Sequence, residues 1–275
     1  MTQHQLDPEA FATFEHAGWE AAASTYADAF DRFTTQAIEP LLNAVGAGPG
    51  VRLLDVACGP GWLAAAAVKR DASVVGIDFA ESVLAEARQR HPGLDFRQGN
   101  AEELAFGDAE FGAVAMSFGL LHLARPEQAL REAYRVLRSG GKLGFTVWSR
   151  PEEAKVFSIV QRAIEAHGKT DVGLPPGPPF FRFSDPVECQ RVLVEAGFVE
   201  PRVEQVPMAW RLPSAEHFFQ AMLDGTVRTR GVLRAQTPEA LDAIRAAAVE
   251  EASAYRQGDA VEIPAPAVLA SAVKP

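Results

Sequence analysis

The stretch Val51–Ala67, VRLLDVACGPGWLAAAA, constrains the fold of this chain more than any other. Val51 to Val56 reads as a buried strand, Gly59-Pro60-Gly61 as a turn, and the alanine-rich run after it as a helix. Strand, glycine turn and helix in that order form the opening unit of a parallel sheet, whose ligand crevice lies at the carboxyl ends of the strands. Asp55 stands at that exit. The two glycines let the backbone approach a ligand more closely than any Cβ allows. The helix that follows presents its free N–H groups to the same space. A nucleotide-like ligand fits such a corner.

Two ligand classes compete for it. Gly59, Gly61 and Ala64 satisfy the dinucleotide fingerprint G-x-G-x-x-G/A. Asp55, however, would repel a pyrophosphate. The apolar strand also ends several residues before Gly59, whereas the dinucleotide pattern starts its glycines directly after the strand. Both points favour a cationic ligand without phosphate.

The next strands repeat the arrangement. Ser73–Asp78, SVVGID, again ends in an acid. The offset from Asp55 to Asp78 is close to the ~20 residues at which a carboxylate reaches a ribose diol in nucleotide folds. Its two oxygens can accept from both hydroxyls, although Asp78 would also serve as an N-cap for the helix Glu81–Arg90. Phe79 is placed to lie against a base. After a turn at His91-Pro92-Gly93, Leu94 and Phe96 alternate as a short strand ending at Gly99, followed by Asn100-Ala101-Glu102. Phe111–Phe118 is a fourth strand. A helix with Pro126 in its first turn runs to a stop at Gly140-Gly141, and Leu143–Trp148 is a fifth strand. Alternating strands and helices predict an α/β fold, a doubly wound, mostly parallel sheet with right-handed crossovers. Asp55, Asp78, Asn100 and Ser117 then emerge from four strands into one crevice.

These residues carry a resemblance. Asp55, Gly59 and Gly61, with Ala57 where the pattern has its first glycine, resemble motif I of the class I S-adenosylmethionine (SAM)-dependent methyltransferases. The GLLHL run, the proline-started helix and RVLRSGGKL resemble the ubiquinone/menaquinone-biosynthesis branch of small-molecule methyltransferases. The match is close over residues 50–150 and loose elsewhere. It implies a Rossmann-like methyltransferase fold: a seven-stranded sheet, an N-terminal helical lid, and a helical insertion between the last two strands. It implies SAM as cofactor and a small, aromatic or apolar organic molecule as methyl acceptor. Asn100-Ala101-Glu102 takes the place of Gly-Asp-Ala-Glu, where an acid accepts from the adenine amino group. An asparagine carbonyl can still accept that bond. Tyr26 stands at a distance before the core where relatives carry a tyrosine close to SAM. The cofactor set is therefore Tyr26, Asp55, Ala57, Gly59, Gly61, Asp78, Phe79, Asn100, Ala101, Glu102 and Ser117.

On either side of the core the chain reads differently. Residues 8–45 are helical, with Phe11, Phe14, Trp19, Tyr26, Phe30, Phe33 and Ile38 at roughly helical spacing and an interruption near Gly18. That stripe either packs on the sheet or forms a lid over the crevice. Beyond Trp148 come a helix at Glu152–His167 and a stiff loop from Gly173 through Pro179 to Phe180, Phe181 and Phe183. A helix follows, capped by Asp185 with Glu188 completing the box and Gly197 as its stop. Val199–Leu212 reads as one long strand, followed by helices Ser214–Leu223 and Thr237–Tyr255 and a last strand, Ala267–Val273. The domain parcels are 1–49 for the lid, 50–150 for the cofactor core, and 151–275 for completion of the sheet, with the acceptor-pocket insertion at about 214–258.

An acceptor with a hydroxyl or an acidic carbon must lose a proton, which calls for a base. His122, just past a strand's catalytic end, is the candidate; a packing histidine is the plainer alternative. His16 and His217 are weaker choices. Trp19, Phe118, His122, Phe180, Phe181, Trp210 and Phe218 are the candidate acceptor contacts. Arg182, Arg211, Arg228 and Arg230 are candidates for an anionic acceptor, though solvated positions suit most of them.

With 48% hydrophobic and 23% charged residues the chain is an ordinary globular one, and a net charge of −10 works against a nucleic-acid partner. Two cysteines, Cys58 and Cys189, form no metal or disulfide spacing. No metal-ligand cluster is visible, no apolar run is long enough for a membrane, and the N-terminus lacks a signal pattern, so a cytoplasmic protein is expected. The alternatives to methyl transfer are a SAM-binding protein that does not methylate, a cyclase or regulatory binder, and an NAD-dependent oxidoreductase.

Overall fold

The computed structural model describes residues 6–275. The expectation of no signal pattern falls partly on residues 1–5, which lie outside the described residues. Among the described residues no helix is long and apolar enough to cross a membrane.

The strands are β1 (Arg52–Val56), β2 (Ser73–Asp78), β3 (Asp95–Gln98), β4 (Phe111–Ser117), β5 (Leu137–Trp148), β6 (Val199–Val206), β7 (Ala209–Leu212), β8 (Arg256–Gln257), β9 (Ala260–Pro264) and β10 (Ala267–Val273). The main sheet has seven strands in the order β3-β2-β1-β4-β5-β10-β6. β1 pairs in parallel with both β2 and β4, and β10 alone runs antiparallel to its neighbours. Strand order reverses between β1 and β4, so the crevice of a doubly wound sheet opens above these two strands. Their inward residues Leu53, Leu54, Ala113, Val114, Ala115 and Met116 have no exposed surface, as strands covered on both faces require.

The helices are α1 (Pro8–Thr34), α2 (Ile38–Val45), α3 (Trp62–Val68), α4 (Glu81–Arg90), α5 (Pro126–Val136), α6 (Lys155–His167), α7 (Pro186–Glu195), α8 (Ala215–Gly225), α9 (Arg228–Arg234) and α10 (Pro238–Ser253). α1 does not break at Gly18. A Cβ there would lie 2.2 Å from Val227 Cγ1, so the glycine admits the chain just before α9 rather than ending the helix. α2 buries Ile38, Leu41, Leu42 and Val45 and belongs to the sheet's own cover. The end of the stretch 8–45 thus packs on the sheet, while Glu9, Ala12, Trp19 and Tyr26 of α1 line the crevice.

Three expectations are corrected. The Gly140-Gly141 pair does not stop a helix: α5 ends at Val136, and the glycines sit inside β5 where its register with β4 shifts. Gly140, at φ 75°, supplies the left-handed residue of that bulge. Val199–Leu212 is not one strand. Pro207, which has no N–H for a ladder, separates β6 from β7, and β7 joins β9 and β8 in a second sheet of three strands. Asp185 does cap α7 by accepting from Val187 N–H, but Glu188 pairs with Arg182 and Arg191 instead of closing a capping box.

An aromatic stack ties these parts together. Phe33 lies parallel to Trp210 of β7 at 5.0 Å and against Trp148 of β5 at 5.0 Å, and Trp148 stacks on Phe118 at 4.2 Å. The second sheet, α1 and the carboxyl ends of β4 and β5 are therefore one packed unit.

Candidate active site: two cavities with a shared wall

Two cavities open at the carboxyl ends of the strands. The first, of about 260 Å³, is lined by Ala57, Gly59 and Pro60 of the turn after β1 and by Asp78 and Phe79 after β2. Asn100, Ala101, Glu102 and Ser117 line it too, and α1 contributes Trp19 and Tyr26. The second, of about 620 Å³, is walled by Phe11, Phe30, Trp148, Phe157, Phe180 and Phe181, with Glu15, Gln161, Glu165 and Arg228 as polar members. Trp19, Tyr26, Phe118 and His122 line both. These four residues are the wall through which the cavities meet.

Local structure explains the first cavity. Gly59 has φ 55°, and a Cβ built on it meets nothing within 4 Å, so the turn leaves its space open to a ligand. Gly61 is needed for packing instead: a Cβ there would lie 2.5 Å from Phe96 Cζ. It faces away from the cavity, as does Asp55. The Asp55 side chain is fully buried and its Oδ2 accepts from Ala64 N–H at 3.1 Å, pinning the first turn of α3. Asp55 and Gly61, both expected among the cofactor contacts, are not in the lining of this cavity and shape the turn from beneath. Burial, reinforced by the nearby Asp78, holds the Asp55 carboxyl well above the usual carboxylate range.

Asp78 does face the cavity. Its Oδ2 accepts from Gly59 N–H at 3.0 Å and its Oδ1 from Ala80 N–H at 3.1 Å, and the Phe79 N–H also favours its charge. Burial raises its carboxyl too, against the backbone N–H groups that favour the charge. Asn100 Oδ1 accepts from Glu102 N–H at 2.9 Å, and Glu102 Oε1 accepts from Arg125 N–H at 2.7 Å. Arg125, the cation of this lining, is committed to Glu102 and Glu9. With Glu9, Asp78 and Glu102 around one engaged arginine, the chemistry suits a cationic, phosphate-free ligand and not a pyrophosphate. Cys58 also lines the cavity, with burial pushing its thiol well above the ordinary range, so it is an inert wall residue.

The shared wall is aromatic. Trp19 stands edge-on to both Tyr26 and His122 at 5.0 Å. Burial pushes the Tyr26 phenol up to about 12, so it stays a neutral hydroxyl. Phe118 has φ 56° and is held there by Thr146, whose carbonyl and hydroxyl both accept from its N–H. His122 ends the short turn Leu120–His122, and its Nδ1 lies 2.9 Å from Glu15 Oε2. Glu15, which the sequence reading did not single out, is 3% exposed. It sits four residues from both Phe11 and Trp19, a lone acid on the aromatic face of α1, and that spacing was the signal available.

Of the expected acceptor contacts, Trp19, Phe118, His122, Phe180 and Phe181 line the second cavity. Trp210 and Phe218 do not. Both are core side chains, 2% and 0% exposed, meeting each other behind the aromatic stack. Among the candidate arginines, Arg182 and Arg211 are paired with acids outside the cavities. Arg230 donates to the Gly18 and Ala21 carbonyls. Arg228 lines the second cavity while donating to the Pro175 carbonyl. His16 leans on Phe79 and His217 bonds to Ser214, so neither takes a place at the shared wall. Among the described residues no group of three or more His, Cys, Asp or Glu side chains is gathered as a metal site.

Known proteins resemble this chain most clearly over its core. Residues 54–145 match the Methyltransf_11 family. That matched segment is a methyltransferase domain. The chain is 41% identical over 111 residues to a demethylmenaquinone methyltransferase of Renibacterium salmoninarum, covering 40% of this chain and 47% of that one. The chain thus spans about half the length of the relative it matches. In fold it is similar to a Thermotoga maritima protein described as a possible histamine N-methyltransferase, at 20% identity and a TM-score of 0.56, covering 95% of this chain and 100% of that one. It is also similar in fold to the [4+2]-cyclase SpnF, at 24% identity and a TM-score of 0.53, covering 88% of this chain and 81% of the other. The fold therefore does not by itself select the reaction.

Proposed function

We propose that the protein transfers a methyl group from SAM to a small, aromatic or apolar organic acceptor. The observation that carries the proposal is the pair of cavities sharing one wall: an acid-lined one built on the turn after β1, and a larger aromatic one, joined at Trp19, Tyr26, Phe118 and His122. In this reading Asp78 takes the ribose hydroxyls, Gly59 and Ala57 admit the backbone-facing part of the cofactor, and Phe79 flanks the adenine. The remaining lone pair of Asn100 Oδ1 accepts from the adenine amino group, and Ala101 N–H donates to the ring. Glu102 acts through Arg125 to hold the floor. SAM supplies an electrophilic methyl on a sulfonium; the chain's own contribution is position, exclusion of water and a proton acceptor. The second cavity orients the acceptor by its aromatic walls, and His122 holds the proton that the acceptor gives up.

The cofactor half is tested by calorimetry with SAM, S-adenosylhomocysteine and NAD. The proposal expects both sulfur ligands to bind and NAD not to. Binding of NAD without SAM would overturn it. The transfer half is tested by release of S-adenosylhomocysteine in the presence of a metabolite extract. SAM retained unchanged while a metabolite is altered would favour a cyclase-type role.

A further inference from the structure

We infer that Glu15 is the positioning residue for His122: it fixes the proton on Nδ1 and so leaves Nε2 as the proton acceptor at the wall between the cavities. The inference deepens the proposed function and rests on it for the use of that acceptor, but not for the existence of the pair. A carboxylate only accepts hydrogen bonds, so the 2.9 Å contact between Glu15 Oε2 and His122 Nδ1 requires the proton to sit on Nδ1. Glu15 is 3% exposed, and a buried carboxylate without a donor would be costly. The imidazole is the donor the structure provides. The ring is held on two further sides, edge-on to Trp19 at 5.0 Å and to Phe180 at 5.9 Å, so neither rotation nor a flip is free. One aromatic neighbour comes from α1 and the other from the loop after α6.

The two partners belong to different parts of the molecule. His122 follows β4 in the sheet core, whereas Glu15 rides on α1. The base is therefore assembled only when the first half of α1 lies across the crevice. Proton transfer from an acceptor's O–H or N–H to Nε2 forms an imidazolium whose Nδ1–H still donates to Glu15. The acceptor's electron pair forms the bond to the methyl carbon, and the C–S bond's electrons go to the sulfur of SAM.

The test is the tautomer of His122, read by long-range ¹H–¹⁵N correlation of the imidazole groups in the full chain, without cofactor or acceptor. His122→Gln assigns the resonance among the 6 histidines. At the alkaline end of the titration the wild-type ring should be the Nδ1–H form. Glu15→Met, apolar and of similar length, should convert it to the Nε2–H form that free imidazole side chains prefer. Glu15→Gln, which keeps an acceptor oxygen, should retain a majority of the Nδ1–H form. In turnover, Glu15→Met should lower kcat by 10-fold or more with KM for SAM within twofold. A wild-type ring in the Nε2–H form, or a Glu15→Met ring still in the Nδ1–H form, overturns the inference while leaving SAM binding untouched. Failure to bind SAM with the tautomer as expected overturns the proposed function instead.

Discussion

Ala57 and Gly119 are a matched pair. Ala57 holds φ 55°, a left-handed conformation, at the position where the family pattern has its first glycine. A Cβ on Gly119 would lie 2.6 Å from the Ala57 methyl. The methyl on the β1 turn fills the space that a side chain at the start of the loop after β4 would need. The left-handed alanine costs about 1–2 kcal/mol, a strain retained beside the cofactor cavity.

The pair predicts non-additive stabilities. Ala57→Gly should relieve the strain and, after the added freedom of the unfolded chain, stabilise by about 0.5–1 kcal/mol. Gly119→Ala should destabilise by about 1–3 kcal/mol through overpacking. The double variant should recover most of that loss, because the clashing methyl is gone. Urea unfolding of the four proteins measures the coupling; additive effects would mean the two methyls never meet.

Asp55 predicts a pH dependence. Burial raises its carboxyl above the unfolded value of 3.8, so on raising the pH the unfolded chain loses its proton first. The contribution of the protonated form is full below that value and is lost as pH rises through the higher folded one. Asp55→Asn keeps an oxygen for Ala64 N–H and has no charge to bury. Its stability relative to wild type should therefore improve as the pH rises above 3.8 and level off above the folded value, measured by unfolding midpoints. A constant difference would show that Asp55 ionises no differently when folded.

How much of this was legible follows from what each residue's neighbours are. β2 and α4 match their expected bounds because apolar runs and turn residues mark them locally. The joint between β6 and β7 was missed because both halves carry strand-forming residues, and only the fold reveals that Pro207 sends them to different sheets. Asp78 and Ser117 reach the cavity because they end strands, and Asn100 because it follows one closely; strand ends are visible in sequence. Asp55 ends a strand too, yet its carboxylate turns under α3, and nothing in one chain tells the two acids apart. Trp210 and Phe218 were candidate contacts on residue type alone, which does not separate a cavity wall from the stack behind it. Glu15 was not legible because its partner, His122, lies on a distant part of the chain that only the fold brings beside α1.

Asp78→Ala should weaken SAM binding by roughly 2–4 kcal/mol, taking ~1.5–3 kcal/mol for each charge-assisted bond and allowing for non-additivity. It also strips an acceptor from Gly59 N–H and Ala80 N–H, so some loss of stability should accompany it. Calorimetry separates the effects. Unchanged affinity in a folded variant would remove Asp78 from the cofactor contacts.

His122→Ala should reduce turnover on the order of 10²–10⁴-fold, the range for loss of a general base, and leave SAM affinity nearly intact. Equal losses in rate and affinity would make His122 a cofactor or packing residue. Near-full turnover would mean the acceptor needs no base.

The last expectation concerns the hold of α1 on the core. Glu20 accepts from the backbone N–H groups of Glu81 at 2.7 Å and Ser82 at 3.2 Å, and so caps α4 from outside it. Ser82 Oγ returns a bond to the Glu20 carbonyl. Ser82 and the two N–H donors hold the Glu20 carboxyl below the usual carboxylate range, so this hold is present above pH 4.5 and fades as the pH falls through the lower folded value. Glu20→Ala removes a cap worth about 0.5–2 kcal/mol. That loss should speed amide exchange in the first half of α1 and the first turn of α4, while β1 and β4 keep their protection. If the two ends of α1 are as distinct as their contacts, the half containing Phe30 and Phe33 stays protected as well. The same variant should release bound S-adenosylhomocysteine faster, since Trp19 and Tyr26 line the cavity proposed for the cofactor from that helix. Exchange that rises across the whole sheet would instead make α1 an inseparable part of the core, and its first half would be no lid.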